Sequence, residues 1–383
     1  MLPTINVNQV EPYSSAPGWP DTASRMPLRL AVTIGHMLIA SASGTQRASL
    51  LLEAQLRASS NARIAFTDAV ALPSPRAMRL ACCLAAEETP AQSDAVHSIT
   101  TNAAGQVSDL AETARKRLQL ASMLGSRSGD PASTAVAVST TLFGSSGPGS
   151  RDDEGSTGFF KGSEAADYYD PKNSFLDQCF VRRTGIPISL SLIYMEVCEE
   201  LGLPLVGLNA PTHLLLAPAD CSLSFVVDPF DGGRVYTADE ASVVIARNAG
   251  STAINPRAES DPLGATLLQK LRAQPMDSHT WCARMLRNLR AIYSASGDAV
   301  GIIGSADRLL AIGAAKPTAS SPEELLACRV QVASAVVALR WEARRDEAKE
   351  LLEGVLASRQ DGALLVPAAR RQLEALLADE WFA

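Results

Sequence analysis

The stretch from Tyr168 to Phe230 constrains the fold of this chain more than any other. Leu190, Ile193, Tyr194, Val197, Cys198 and Leu201 recur at the spacing of a helix buried on one face. Pro187 stands where a first-turn proline is tolerated, because the N–H it lacks would have no helical partner there. Gly202 and Pro204 stop the helix. A strand is predicted over 203–208. Two short apolar runs follow, 213–217 and 223–228, separated by polar and small residues, and they predict a β-hairpin.

The hairpin carries a geometric expectation. With its turn centred between Asp220 and Cys221, His213 faces Asp228 across the ladder. Directly opposed Cβ atoms lie roughly 5 Å apart. A carboxylate at that distance holds an imidazole in one tautomer, which is the orienting half of a nucleophile–base–acid triad. A bland reading competes with it: the pair is a buried hydrogen bond that only fastens the hairpin.

A helix, a strand, a His on one strand and an Asp on the next resemble the transglutaminase-like branch of the papain-type fold. The similarity is closer to the SirB-type family (SirB-one, also called YchA in bacteria). It rests on Tyr169-Asp170-Pro171, Asn173-Ser174-Phe175-Leu176, the run from Arg182 to Leu190, Leu201-Gly202-Leu203-Pro204 and Asp228-Pro229-Phe230. A second block runs from Arg284 to Tyr293. The resemblance implies an α+β fold: a transglutaminase-like (papain-type) core with a small antiparallel sheet, followed by an all-α helical-repeat domain. In active relatives a Gly-x-Cys opens the helix. Counting back from Gly202 by the family's spacing lands on Pro187, with Gly185 in the glycine position. Proline has no nucleophile, so the resemblance implies a pseudo-enzyme in which His213 and Asp228 are vestigial triad positions. Pro211-Thr212-His213-Leu214 also departs from the family's usual Pro-Gly-His-Phe.

Other residues keep an enzyme in play. Ser189 and Ser191 lie just beyond Pro187, as hydroxyl nucleophiles or as capping and packing residues. Cys179 lies shortly upstream, as a displaced nucleophile or a buried thiol beside Phe180 and Val181. Asn173 and Ser174 are expected to cap the helix carrying Phe175 and Leu176. Arg182 and Arg183 either bind an acidic group of a partner or pair with Asp177 and Glu199.

Composition narrows the classes. A net charge of −7 leaves no electrostatic footprint for nucleic acid or an anionic membrane. Seven cysteines, an odd number without a Cys-x-x-Cys, and four scattered histidines point away from a zinc site and toward reduced thiols. No metal or cofactor is expected. No apolar run has transmembrane length. Residues 28–42 are apolar after Arg25 and Arg29, as an import segment would be, but Glu11 and Asp21 precede them. A cytoplasmic location is expected, with organelle import as the alternative.

The expected organisation has a disordered tail over 1–25 and a transglutaminase-like core over 26–260 with helices at its front. A flexible Gly/Ser/Thr-rich insertion over 125–158 interrupts the core, with a short helix near 135–143 inside it. A helix-only unit follows over 263–383, because no strand pattern appears after Tyr236, and the resemblance implies that it is a tetratricopeptide-like helical domain. Its helices are predicted over 263–271, 280–294, 299–312, 322–341, 346–358 and 368–381. The expected function is that of a non-catalytic regulatory or scaffold protein. Its protein partners would bind the helical domain or the degenerate cleft. The alternatives are a hydrolase or acyl-transfer enzyme using His213–Asp228 with an unorthodox nucleophile, or a module that takes extended peptides.

Overall fold

The structure, a computed structural model, describes residues 93–124, 130–144, 158–160, 168–210, 213–249, 261–358, 361, 364–365 and 367–382. The expected tail over 1–25, the apolar segment 28–42 and the part of the core's helical front before residue 93 lie outside the described residues.

Eleven α-helices and four short strands make up the described residues. They are α1 Ser93–Met123, α2 Pro131–Phe143, α3 Leu176–Arg182, α4 Pro187–Glu200, then β1 Leu205–Leu208, β2 Leu215–Pro218, β3 Val226–Asp228 and β4 Arg234–Tyr236. The helices α5 Ala238–Asn248, α6 Pro262–Ala273, α7 Ser278–Ser296, α8 Ala299–Ala315, α9 Pro322–Leu339, α10 Arg345–Ala357 and α11 Pro367–Leu377 follow. The strands form one antiparallel sheet in the order β1-β2-β3-β4. The fold is therefore α+β and mostly helical.

The centre of the molecule is α4. The apolar spacing predicts one buried face, but every residue from Ile188 to Cys198 is buried. Helices α1 and α2 cover α4, as do β1 and β2 and the 3-10 turn Pro229–Asp231. Ser189, Ser191 and Glu196 are enclosed with it, which a one-sided helix would have left in water.

Within the stretch expected as a flexible insertion, Pro131–Phe143 is a core helix. Asp130 caps it and Pro131 opens it. Its hydroxyls are what gave the segment its loop-like composition. They turn back on the helix: Ser139, Thr140 and Thr141 each donate to the carbonyl four residues earlier, at 2.9, 2.9 and 2.8 Å. Paired in this way, Ser139 and Thr141 can be buried with Ala135, Val138, Leu142 and Phe143. The rest of that stretch, 125–129 and 145–157, lies outside the described residues.

From α7 onward each helix packs on the next. Gly297 takes the left-handed conformation (φ 72°) that ends α7, and Asp298 caps α8 by accepting from Gly301 N–H at 3.0 Å. Helix α9 ends at Leu339, two residues before the predicted end, because Arg340 adopts φ 50°. Two buried ion pairs fasten these helices. Arg287 forks onto Glu324 (2.8 and 2.7 Å), and Arg344 forks onto Asp307 (2.7 and 2.9 Å). One continuous apolar cluster joins this region to the core, from Ala103 through α4 to Phe382. The contact is close at Gly207, where an added Cβ would lie 2.4 Å from the Trp281 ring. Beside it Met276 N–H donates to Gly207 O at 2.8 Å and caps the outer edge of β1.

Candidate functional site

The hairpin brings His213 to Asp228, by a different register from the expected one. Asp220 opens the turn rather than sitting beside its centre. Its carboxylate accepts from Ser222 N–H at 2.9 Å, and its carbonyl accepts from Leu223 N–H at 3.1 Å. The turn is thus centred between Cys221 and Ser222, and Leu216 pairs with Val227. Continued outward, that register sets His213 level with Phe230 rather than Asp228. The displacement is two residues, and a two-residue shift keeps every side chain on its face. His213 and Asp228 therefore still meet, diagonally. The strands are also shorter than expected. Arg272 donates to the carbonyls of Leu223 (2.9 Å) and Phe225 (2.8 Å), which are thereby occupied outside the sheet.

Asp228 Oδ2 lies 2.7 Å from His213 Nε2, and both side chains are largely buried. The carboxylate oxygen accepts, so Nε2–H of the imidazole is the donor. Among the described residues Nδ1 has no hydrogen-bond partner. The other carboxylate oxygen, Oδ1, accepts from Phe230 N–H (3.0 Å) and Asp231 N–H (3.2 Å), capping the 3-10 turn. Gly232 and Gly233, with φ of 65° and 73°, then bring the chain round so that Gly233 N–H donates to Asp228 O at 2.9 Å. Phe230 packs edge-on to the imidazole, ring centres 6.1 Å apart. The run Asp228-Pro229-Phe230 was visible in the sequence, but the edge-on contact of Phe230 with the imidazole was not.

Of the other candidates, Ser189 and Cys179 are tied to backbone carbonyls, while Ser191 Oγ is buried without a hydrogen-bond partner among the described residues. Pro187 is the first residue of α4. Ser189 Oγ accepts from Ile186 N–H at 3.1 Å and lies 2.8 Å from Asn173 O and 2.9 Å from Ile186 O. It is thus a buried helix-start brace. Ser191 is fully enclosed. Cys179 donates to Asn173 O at 3.2 Å, and burial pushes its thiol up to about 12. Burial also raises Cys198, far along α4. An added Cβ on Gly185 would lie 2.9 Å from Ser189 Oγ and 3.1 Å from Cys179 Sγ, so the helix start is packed to the backbone. A thiolate needs exposure or a positive neighbour, and none of these buried groups combines them.

Two local expectations change. The N-cap of α3 is Phe175, without a side-chain bond, so neither Asn173 nor Ser174 caps that helix; the side-chain cap in this segment is Asp170, on the preceding 3-10 turn. Asp170 accepts from Lys172 N–H at 2.9 Å and opens the 3-10 turn Pro171–Ser174. The Asp-Pro pair was the signal for it. Arg182 pairs with Asp170 (3.0 Å) and Asn173 (3.1 Å) in place of Asp177 and Glu199. Arg183 sits over the Phe159 ring, 4.8 Å from its centre. Among the described residues no group of three His, Cys, Asp or Glu side chains could hold a metal ion. None of the described helices is long and apolar enough to cross a membrane.

Residues 101–287, which include α4, β1, His213 and Asp228, match the family model of the transglutaminase-like superfamily. A UPF0162 protein of Xylella fastidiosa (strain 9a5c) is 36% identical over 154 residues, which are 40% of this chain and 51% of that protein. The UPF0162 protein of Pseudomonas aeruginosa is 33% identical over 143 residues, 37% of this chain and 47% of that protein. Human F-box only protein 21 is 37% identical over 97 residues, 23% of this chain and 15% of that protein. The chain thus spans about half the length of the bacterial relatives it matches. No solved structure matches.

Proposed function

We propose that this chain is a non-catalytic binding protein of the SirB type. Its transglutaminase-like core has lost its nucleophile, and the helices from α7 onward serve as a tetratricopeptide-like platform for protein partners. The observation that carries this reading is the packing at the start of α4. Pro187 occupies the position the family resemblance gives to the nucleophile, and the hydroxyl and thiol closest in sequence, Ser189 and Cys179, are buried and tied to Asn173 O. The base at His213 then has nothing to activate. The His213–Asp228 pair keeps a structural role, holding the end of β3 to the start of β2.

The stretch shared with human F-box only protein 21 is a small part of that longer protein, which suits a module that contributes binding to a larger whole. None of the five described cysteines forms a disulfide, which fits a reducing, cytoplasm-like compartment.

One observation favours an enzyme instead, the unbonded Nδ1 of His213. Hydrolysis of a panel of peptide amides and aryl esters separates the two readings. Wild type and His213→Ala should both match the rate in buffer alone. Turnover by the wild type that His213→Ala abolishes would overturn the binding-protein reading.

A further inference from the structure

Helix α1 runs past the core it helps to build. Its buried side chains are Ala103, Val107, Leu110, Ala111 and Ala114, and no residue from Arg115 to Leu124 is buried. The helix thus continues for about two and a half turns without enclosed packing. A helix in a protein draws most of its stability from packing an apolar face, so an overhang of this kind is unusual unless something packs on it.

The overhang carries such a face. Leu120, Met123 and Leu124 are exposed at 60%, 83% and 80%, and the last two are the most exposed large apolar side chains among the described residues. Leu124 N–H still donates to Leu120 O at 3.1 Å, so helical spacing holds to the end. Residues three and four apart share one side of a helix, which places all three together. Lys116 and Arg117 stand four and three residues before Leu120 and share that side by the same rule.

The charge here has one sign. From Thr113 to Leu124 the chain holds Arg115, Lys116 and Arg117 and no acid, in a protein of net charge −7. Glu112 takes up Arg115 at 2.6 Å and lies 3.8 Å from Lys116, which stays 72% exposed. Arg117 is exposed and makes no ion pair among the described residues.

We propose that Lys116, Arg117, Leu120, Met123 and Leu124 dock an acidic amphipathic helix of a partner protein. The partner's apolar stripe covers the three apolar side chains, and its carboxylates, one turn along, meet the two cations. Arg117, Leu120 and Leu124 follow the three-then-four spacing along which two helices pair, which selects a helix as the occupant. The cations select an acidic one, whereas the same face of a second copy would bring cations and no acids. The surface adds a binding place apart from the helices from α7 onward, and it depends on neither those helices nor the state of the His213 site.

The test uses the full chain and a fluorescein-labelled helical peptide with Leu at the a and d positions of its heptads and Glu at e and g. A second peptide carries Lys in place of every Glu. Fluorescence polarisation should show the acidic peptide bound in preference to the basic one. Lys116→Glu combined with Arg117→Glu should weaken the acidic peptide by about tenfold or more and reverse the preference. Leu120→Ala with Leu124→Ala, which keeps helix propensity, should weaken both peptides, and Leu263→Ala, at an exposed apolar position elsewhere, should change neither. All of these side chains are exposed, and unchanged circular dichroism shows that the variants fold. Absence of acidic-peptide binding by the wild type, or equal binding by the double charge variant, would overturn the surface. Dimerisation in sedimentation velocity that Leu120→Ala with Leu124→Ala abolishes would give the face to a second copy. Co-sedimentation with phosphatidylserine vesicles that Lys116→Glu with Arg117→Glu abolishes would give it to a membrane. Either result would overturn the proposal.

Discussion

Asp228 uses both carboxylate oxygens: Oδ2 receives His213 Nε2–H at 2.7 Å, while Oδ1 receives the backbone N–H groups of Phe230 and Asp231. The residue is therefore a structural centre as well as a partner for the imidazole. Asp228→Ala strands three donors in a buried corner and should cost about 2–4 kcal/mol. His213→Ala removes one bond and should cost about 1–2 kcal/mol. Urea denaturation checks both. A pair kept only for chemistry would give two fully stable variants.

The junction between sheet and helices is tested at Gly207. A methyl group there meets the Trp281 ring at 2.4 Å, with β2 on the other side of the strand. Gly207→Ala should destabilise the whole protein by about 2–3 kcal/mol through overpacking. Unfolding should remain a single transition, because one apolar cluster spans the junction. A variant as stable as the wild type would mean that α7 does not sit on β1.

Glu324 is buried between Arg287 and Arg290, and Arg290 is 1% exposed. Glu324→Gln leaves buried guanidinium charge without its counter-charge and should cost about 3–5 kcal/mol. Thermal unfolding measures it, and a shift no larger than that of an exposed Glu→Gln control would refute the assignment.

The buried thiols set a pH dependence. Burial raises Cys179 to about 12 and Cys328 to about 11, whereas a thiol in the unfolded chain ionises near its ordinary ~8.5. Between those values the folded protein holds more protons than the unfolded one, so stability falls as pH rises. Below about pH 8 these groups contribute no slope. Each thiol adds roughly 1 kcal/mol of loss per pH unit within its window. Urea midpoints from pH 8 to 10 should fall for the wild type and fall less steeply for Cys179→Ala. Identical slopes would place Cys179 in contact with solvent.

Long periodic signals were legible in the sequence because they depend on local spacing. Pro187 and Gly202 bracket α4 as their chemistry requires, and His213 and Asp228 meet on one face. Enclosure and register were harder to read. Nothing in the run from Ile188 to Cys198 tells that α1 and α2 cover its second side, since those partners are distant in sequence. The hairpin register hinged on whether Asp220 opens or centres its turn, and one hydrogen bond to Ser222 N–H decides it. Helix α2 was legible only over 135–143 and as part of an insertion; its first turn and its place in the core were masked by its Ser and Thr residues, which satisfy themselves within the helix.

The central claim is that this transglutaminase-like core works without a thiol nucleophile. It is tested most directly by the alkylation rate of each cysteine in the native full chain, read by mass spectrometry at neutral pH. Cys179, Cys198, Cys282 and Cys328 are buried and should react slowly, while Cys221, exposed at the hairpin turn, should react like a free thiol. No cysteine should exceed the rate of a small-molecule thiol. A single hyper-reactive cysteine, with amide or ester turnover that disappears once it is blocked, would contradict the account.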